Sequence, residues 1–383
     1  MARIAFLNER LPPDDDPVSG FSYELIRSLA DQQHEIRVFS TYRSGGGLPP
    51  SHPRIQILRP FHSWSWLEVP RAMPLLMEFR PEILHVVEPR AEAVQGFTNA
   101  MSALASLKSL FGNPPLVTSF YDVRGDRLKK HRALLLISDA VTVSNEPQLK
   151  LLEDFFSRFS RKPELAVLPL PAPVYQEQED EAVSSPLLEN VKEFSSDREL
   201  VFVPGDVGAH RDPAGLFQAL AAVLEKHPKV AIVFGGSWSG VARRIRHQLL
   251  RTFEKTGERV LFTGPLTVFE EKGCLSLAKF VFLASLPIES LSSARLTRTA
   301  LEVFTLPILN SEQARLDSLN WVHGENAWIT TTDARDWSRS VSEALDSATL
   351  VERIRARLSE FARREAIDQP GNAITRLYAR LLA

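Results

Sequence analysis

Two successive series of short apolar runs alternating with amphipathic stretches constrain this chain more than any other feature of its sequence. Runs at residues 3–7, 35–40, 55–58, 83–87, 116–120, 140–143 and 165–168 read as strands, and stretches such as 22–32, with Leu25, Ile26 and Leu29 on one face, read as helices between them. Residues 69–79 predict a further helix ending before Arg80-Pro81, with Pro70 in its first turn and Pro74 as a challenge to it. The pattern halts at 168–186, where Pro169, Pro171 and Pro173 are followed by Glu177, Glu179, Asp180 and Glu181; neither sheet nor helix continues through such a segment. It then restarts, with strand runs at 200–204, 230–234, 260–263, 280–284, 307–309 and 327–330 and helices at 216–226, 242–256, 299–304 and 337–346. A helical tail covers 350–383, broken at Gln369-Pro370-Gly371. Strands alternating with helices indicate parallel α/β sheets, and 383 residues exceed a single core. The expected architecture is two doubly wound, Rossmann-like domains facing across a cleft. They would comprise residues 1–172, a linker at 173–186, residues 187–365, and a C-terminal helix at 366–383 returning to the first domain.

Several function classes drop out. Balanced charge, 45 basic against 47 acidic residues, argues against non-specific nucleic-acid binding. Cys274, the single cysteine, excludes an intramolecular disulfide framework and multi-cysteine metal sites. The nine histidines lack metal-ligand spacing, so no metal is expected. No apolar run approaches the ~18 residues of a membrane span, and residues 4–7 are too short for a secretory leader, so a cytoplasmic location is expected. Neither first strand is followed by G-x-G-x-x-G, and the P-loop, H-E-x-x-H and G-x-S-x-G patterns are missing.

What the chain does carry is a series of landmarks. They are Gly20-Phe21-Ser22-Tyr23-Glu24-Leu25, Gln33-His34-Glu35-Ile36, Arg80-Pro81-Glu82-Ile83-Leu84-His85 and Ser138-Asp139-Ala140-Val141. Gly205-Asp206-Val207 through Arg211 with Leu216–Leu220, Phe262-Thr263-Gly264, Ala300-Leu301-Glu302 through Pro307, and His323-Gly324-Glu325-Asn326 complete them. In order and spacing over residues 3–345 the chain resembles the retaining, metal-independent glycosyltransferases of the GT-B fold. The resemblance implies a nucleotide-diphosphate sugar as donor substrate and no other cofactor. Its acceptor, whether carbohydrate, lipid-linked or protein, would approach the first domain near Ser19 and Gly20.

The same resemblance points to the residues that would do the work. Departure of a nucleoside diphosphate leaves growing negative charge, which cationic side chains and helix N-termini stabilise. Where the family has an Arg and a Lys after the first strand of the second domain, this chain has Asp206 and Arg211, with His210 beside them as a partial substitute. The family's glutamate pair is reduced to Glu302, expected at the nucleotide ribose, with Ala294 eight positions earlier. Its small glycine-rich turn is Arg295-Leu296-Thr297-Arg298, whose arginines fit either donor binding or a solvated helix face. The family histidine aligns to Tyr121, followed by Asp122; both fit a cleft lining, and Tyr121 equally fits a structural tyrosine. Asp206 fits either a repulsive neighbour of phosphate or an ion-pair partner of Arg211 or of a residue in the other domain. The departures fall on catalytic positions, so an inactive GT-B scaffold or binding subunit is the alternative to a transferase. Trp64 and Trp66, Lys129-Lys130-His131-Arg132 and Arg243-Arg244-Ile245-Arg246-His247 read as core packing and solvated helix faces, with peripheral membrane contact as the minority reading.

Overall fold

The structure, a computed structural model, describes residues 1–9, 11, 17–41, 52–88, 94–121, 123, 125–170, 185–287, 291–316, 319–367 and 370–383. Most of the expected linker, and Asp122, lie outside the described residues. Contacts cluster into two units, Met1–Pro171 with Asp368–Ala383, and Ala172–Ile367.

The first unit holds strands β1 (Arg3–Leu7), β2 (Glu35–Thr41), β3 (Ile55–Phe61), β4 (Ile83–Val87), β5 (Leu116–Phe120), β6 (Ala140–Val143) and β7 (Glu164–Val167). They form one sheet in the order β3-β2-β1-β4-β5-β6-β7, with every pair parallel. Central strands β4, β5 and β6 are buried at every residue, because helices cover both faces of a parallel sheet; their apolar runs are interrupted by His85, Thr118, Ser119 and Thr142. The helix Val69–Phe79 forms despite Pro74, because Val69, Ala72, Met73, Leu76 and Phe79 bury one face; it stops at Arg80, which takes a left-handed φ of 50°. The expected helix at 22–32 begins earlier, spanning Pro17–Asp31.

The tail is two helices, Ala348–Ile367 in the second unit and Pro370–Leu382 in the first. The last buries Ile374, Leu377 and Tyr378. Thr375 donates to Gln32 at 2.7 Å and Arg380 to Glu164 at 2.6 Å. The Tyr378 hydroxyl is hydrogen-bonded to Nδ1 of His85, whose Nε2 meets Ser119 Oγ at 2.7 Å, and Ser119 in turn meets Thr142 at 2.6 Å. A buried polar chain thus runs from the final helix across β4, β5 and β6.

In the second unit β8 (Glu199–Pro204), β9 (Val230–Gly235), β10 (Val260–Phe262), β11 (Phe280–Phe282), β12 (Leu306–Asn310) and β13 (Trp328–Thr330) make a parallel sheet ordered β10-β9-β8-β11-β12-β13. One face is filled by aromatic rings, with Phe234 stacked on Phe262 at 4.8 Å and Phe217 on Phe234 at 4.9 Å. The helix expected at 299–304 spans Leu291–Glu302 instead, so Arg295–Arg298 lie inside a helix and not in a turn. Leu296, Ala300 and Leu301 are buried at helical spacing, and that packing overrides the turn suggested by alignment. The helix expected at 242–256 ends at Arg251.

Candidate functional site

In open α/β sheets the strand order reverses at a switch point, and ligands collect at the carboxyl ends of the strands there. In the second unit that point lies between β8 and β11, and the loop leaving β8 carries Gly205, Asp206, His210 and Arg211. After β8, Gly205 takes φ +94°, a conformation that a side chain would strain. Gly236, after β9, has no room for a Cβ: it would land on the Gly205 carbonyl. The two loops therefore cross backbone against backbone.

Asp206 is not paired with Arg211. Its Oδ1 accepts from the Ser237 amide at 2.6 Å and its Oδ2 from the Ser239 hydroxyl at 2.7 Å. Burial alone would raise its pKa, but these hydrogen bonds hold it below the usual value. The carboxylate thus ties the loop after β9 to the loop after β8. A carboxylate that by sequence fits either repulsion of phosphate or an ion pair braces the site's backbone.

His210 bridges the switch point, with Nδ1 2.8 Å from Ser285 Oγ beyond β11; the Arg211 amide donates to the Ser285 carbonyl at 2.8 Å. Burial pushes the His210 pKa down to about 4, against the opposing effects of the Gly205 backbone and Asp206. At neutral pH the ring is uncharged, so His210 does not supply the positive charge expected of it. Its role here is to pin the Arg211 loop to β11. His85 is driven lower, to about 3, by complete burial. Both rings fold neutral while the unfolded chain binds a proton near pH 6.5. Stability is therefore complete above pH 6.5 and declines as pH falls towards 4 for His210 and 3 for His85. Urea denaturation from pH 7.5 downwards should show each unit losing up to about 1.4 kcal/mol per pH unit below 6.5, and His210→Gln should flatten that slope in the second unit.

Arg211 stands at the rim with 46% of its side chain exposed and is ion-paired to Glu312 at 3.2 Å. Glu312 belongs to the helix Ser311–Leu316, started by a reciprocal cap in which the Gln313 amide donates to Asn310 Oδ1 at 2.8 Å and the Asn310 amide to Gln313 Oε1 at 2.9 Å. Gln313 also donates to the Leu283 carbonyl at 2.8 Å, and Asn310 to that of Ala284 at 2.7 Å, fixing the loop after β11. Ser237, Ser239, Ser285, Asn310, Glu312 and Gln313 were missed by sequence reasoning. Only Asn310 and Gln313 left a local trace, a capping residue with glutamine three positions on.

The other donor-side candidates are not gathered here. Arg295 forms a two-pronged ion pair with buried Glu271 of the neighbouring helix Val268–Leu277, so its charge is neutralised within the core. Arg298 is buried and donates back to the Ala294 carbonyl at 3.1 Å. Glu302 is the last residue of its helix, which leaves β11 at the carboxyl edge and runs about 18 Å to the opposite edge, where β12 begins. It sits 3.6 Å from Lys272, and burial raises its pKa to about 7 despite that neighbour. Glu302 and Arg211 are therefore on opposite edges of the sheet.

In the first unit Ser19 and Gly20 lie in the first turn of the helix Pro17–Asp31 and not in a loop, with Ser19 wholly buried. Tyr121, at the carboxyl end of β5, is buried beside Phe21, with ring centroids 6.0 Å apart. Burial raises its pKa; the Ser22 hydroxyl opposes this and Glu88 adds to it. Glu88, buried at the end of β4, had not been singled out from sequence. Trp64 packs between Phe61 and Phe97 at 4.5 and 4.6 Å, whereas Trp66 is exposed. Among the described residues no three His, Cys, Asp or Glu side chains converge as for a metal ion, and no helix is long and apolar enough to cross a membrane.

Two parallel α/β units with these strand orders have the GT-B fold, and solved structures of that fold match the chain along its whole length. A UDP-forming α,α-trehalose-phosphate synthase from Burkholderia xenovorans, in complex with glucose-6-phosphate, superposes with a TM-score of 0.69 at 13% identity, covering 100% of both chains. HepE from Anabaena, in complex with UDP and glucose, gives 0.64 at 13% identity over 99% of this chain and 100% of its own. A putative UDP-N-acetylglucosamine 2-epimerase from Listeria monocytogenes gives 0.60 at 14%, over 99% and 95%. No protein-family model and no curated protein sequence matches the chain. At such identities the likeness is one of fold, and the fold serves both transferase and epimerase.

Proposed function

We propose that this chain is a glycosyltransferase that takes its sugar from a nucleotide-diphosphate donor, retaining and metal-independent as its resemblance implies. The donor's diphosphate would bind at the carboxyl edge of β8, against Arg211 and the loop that Gly205, Asp206 and His210 build. The observation that carries this reading is Arg211 itself, a half-exposed guanidinium at the switch point of the second sheet, held by the His210–Ser285 bridge. Likeness to UDP- and sugar-binding structures over the full chain supports it. The acceptor would approach the first unit beside Ser19, Gly20 and Tyr121.

Glu312 competes with phosphate for Arg211. An exposed ion pair is worth ~0.2–1 kcal/mol, weaker than a charge-assisted bidentate contact to phosphate, so a diphosphate would displace the carboxylate. UDP or GDP should raise the melting temperature of the protein. Arg211→Ala should abolish the shift, while Glu312→Gln should tighten binding several-fold. Slow hydrolysis of one member of a sugar-nucleotide panel would establish chemistry without knowledge of the acceptor.

A second reading, an inactive GT-B scaffold, is favoured by the neutralised Arg295, by Ala294 and by the remote Glu302. Nucleotide binding without any donor hydrolysis would select it, and the lack of any thermal shift would defeat the donor assignment.

A further inference from the structure

The helix Arg243–Arg251 takes no part in the site described above. Its sequence, RRIRHQLLR, carries four arginines and no acid. Residues 242–248 are all exposed, and Leu249 is the helix's buried anchor. Local stability works against the arrangement. Arg243 and Arg244 occupy the first turn, where the helix dipole is already positive, and Ala242 at the cap has no side-chain acceptor for the free amides. Among the described residues no carboxylate lies within ion-pair distance of Arg243, Arg244 or Arg246; Arg246 rests over the Trp238 ring, 5.0 Å from its centroid, and Arg251 reaches Glu254 at 3.8 Å. The chain as a whole has a net charge of −2, so this cluster runs against the overall balance. Ile245, 49% exposed, stands among the arginines.

We propose that this helix docks the protein on an anionic phospholipid surface. Arginine guanidinium groups grip phosphate in bidentate fashion, juxtamembrane cations are drawn to anionic leaflets, and one exposed branched apolar side chain amid cations suits the boundary between headgroups and acyl chains. A single-stranded nucleic acid would call for several exposed aromatic rings on which successive bases stack, and the exposed face 242–248 offers the single imidazole of His247 and no Phe, Tyr or Trp.

The test is sedimentation of the full chain with vesicles of phosphatidylcholine alone and of phosphatidylcholine mixed in equal parts with phosphatidylglycerol. Binding is expected to the mixed vesicles only, weakening as salt rises. The triple variant Arg243→Gln, Arg244→Gln, Arg246→Gln should lower partitioning by about a hundredfold, and Ile245→Ser by about tenfold. Because these side chains are exposed, melting temperatures should match the parent. Equal binding to both vesicle types, failure to bind the mixed ones, a triple variant that binds like the parent, or loss of binding on Lys129→Gln with Lys130→Gln instead would each overturn the proposal. Capture of a single-stranded oligonucleotide or of polyglutamate at a salt concentration where mixed vesicles are not bound would do the same.

Discussion

Replacing Tyr378 by alanine is expected to destabilise the first unit by about 4 kcal/mol. The ring is buried between His34 and His85 on the final helix, and its hydroxyl ends the polar chain through His85, Ser119 and Thr142. Alanine removes the ring and also strands the His85 Nδ1 in a site that water does not reach. Tyr378→Phe separates the two contributions: it keeps the ring, loses only the hydroxyl, and should cost about 1–2 kcal/mol. Urea denaturation with hydrogen exchange read strand by strand checks both. Amides of β4 and β5 should exchange faster while those of β8 and β9 keep their protection, since the two units have separate cores. A Tyr378→Ala protein within 1 kcal/mol of the parent would mean that the last helix is an appendage and not a structural member.

The second large effect belongs to Gly236→Ala. A methyl group there meets the carbonyl of Gly205 and the amide of Asp206, both backbone atoms that no rotamer change can move aside. The loops after β8 and β9 must separate, breaking the Asp206 contacts to Ser237 and Ser239. The expected cost is about 3 kcal/mol, the upper end of overpacking effects, together with loss of the thermal shift that the proposed donor site would give with UDP or GDP. Gly257→Ala is the control: no atom lies within 4 Å of the added methyl group, and stability should be unchanged or slightly improved. Wild-type stability and UDP response in Gly236→Ala would show that the loop crossing is looser than its geometry implies.

Of the candidate site, the sequence carried the elements and the loops but not the use made of each side chain. The ends of β8 and β11 were legible because buried parallel strands leave unbroken apolar runs. The position of Gly205, His210 and Arg211 on the loop after β8 was legible because they follow that strand directly in the chain. The bracing contacts of Asp206 are not legible in the sequence because its partners, Ser237 and Ser239, are some thirty positions away and leave no periodic trace. The sequence offers His210 as a partial substitute for a cation, and only its burial shows the ring to be neutral. For Arg295 the sequence leaves donor binding and a solvated helix face open, and neither anticipates the ion pair with Glu271, which lies on a different helix. Glu302 matches the glycosyltransferase pattern by spacing, and spacing along a chain does not say at which edge of a sheet a helix ends.

The alternation of apolar runs with amphipathic stretches, set by the twofold repeat of a strand and the 3.6-fold repeat of a helix, determined two parallel α/β sheets from the sequence alone. Which side chains carry charge, which ones brace a loop and which stand free to meet a ligand was decided only by tertiary structure. Ionisation depends on burial, and hydrogen-bond partners come from strands and helices far apart in the chain.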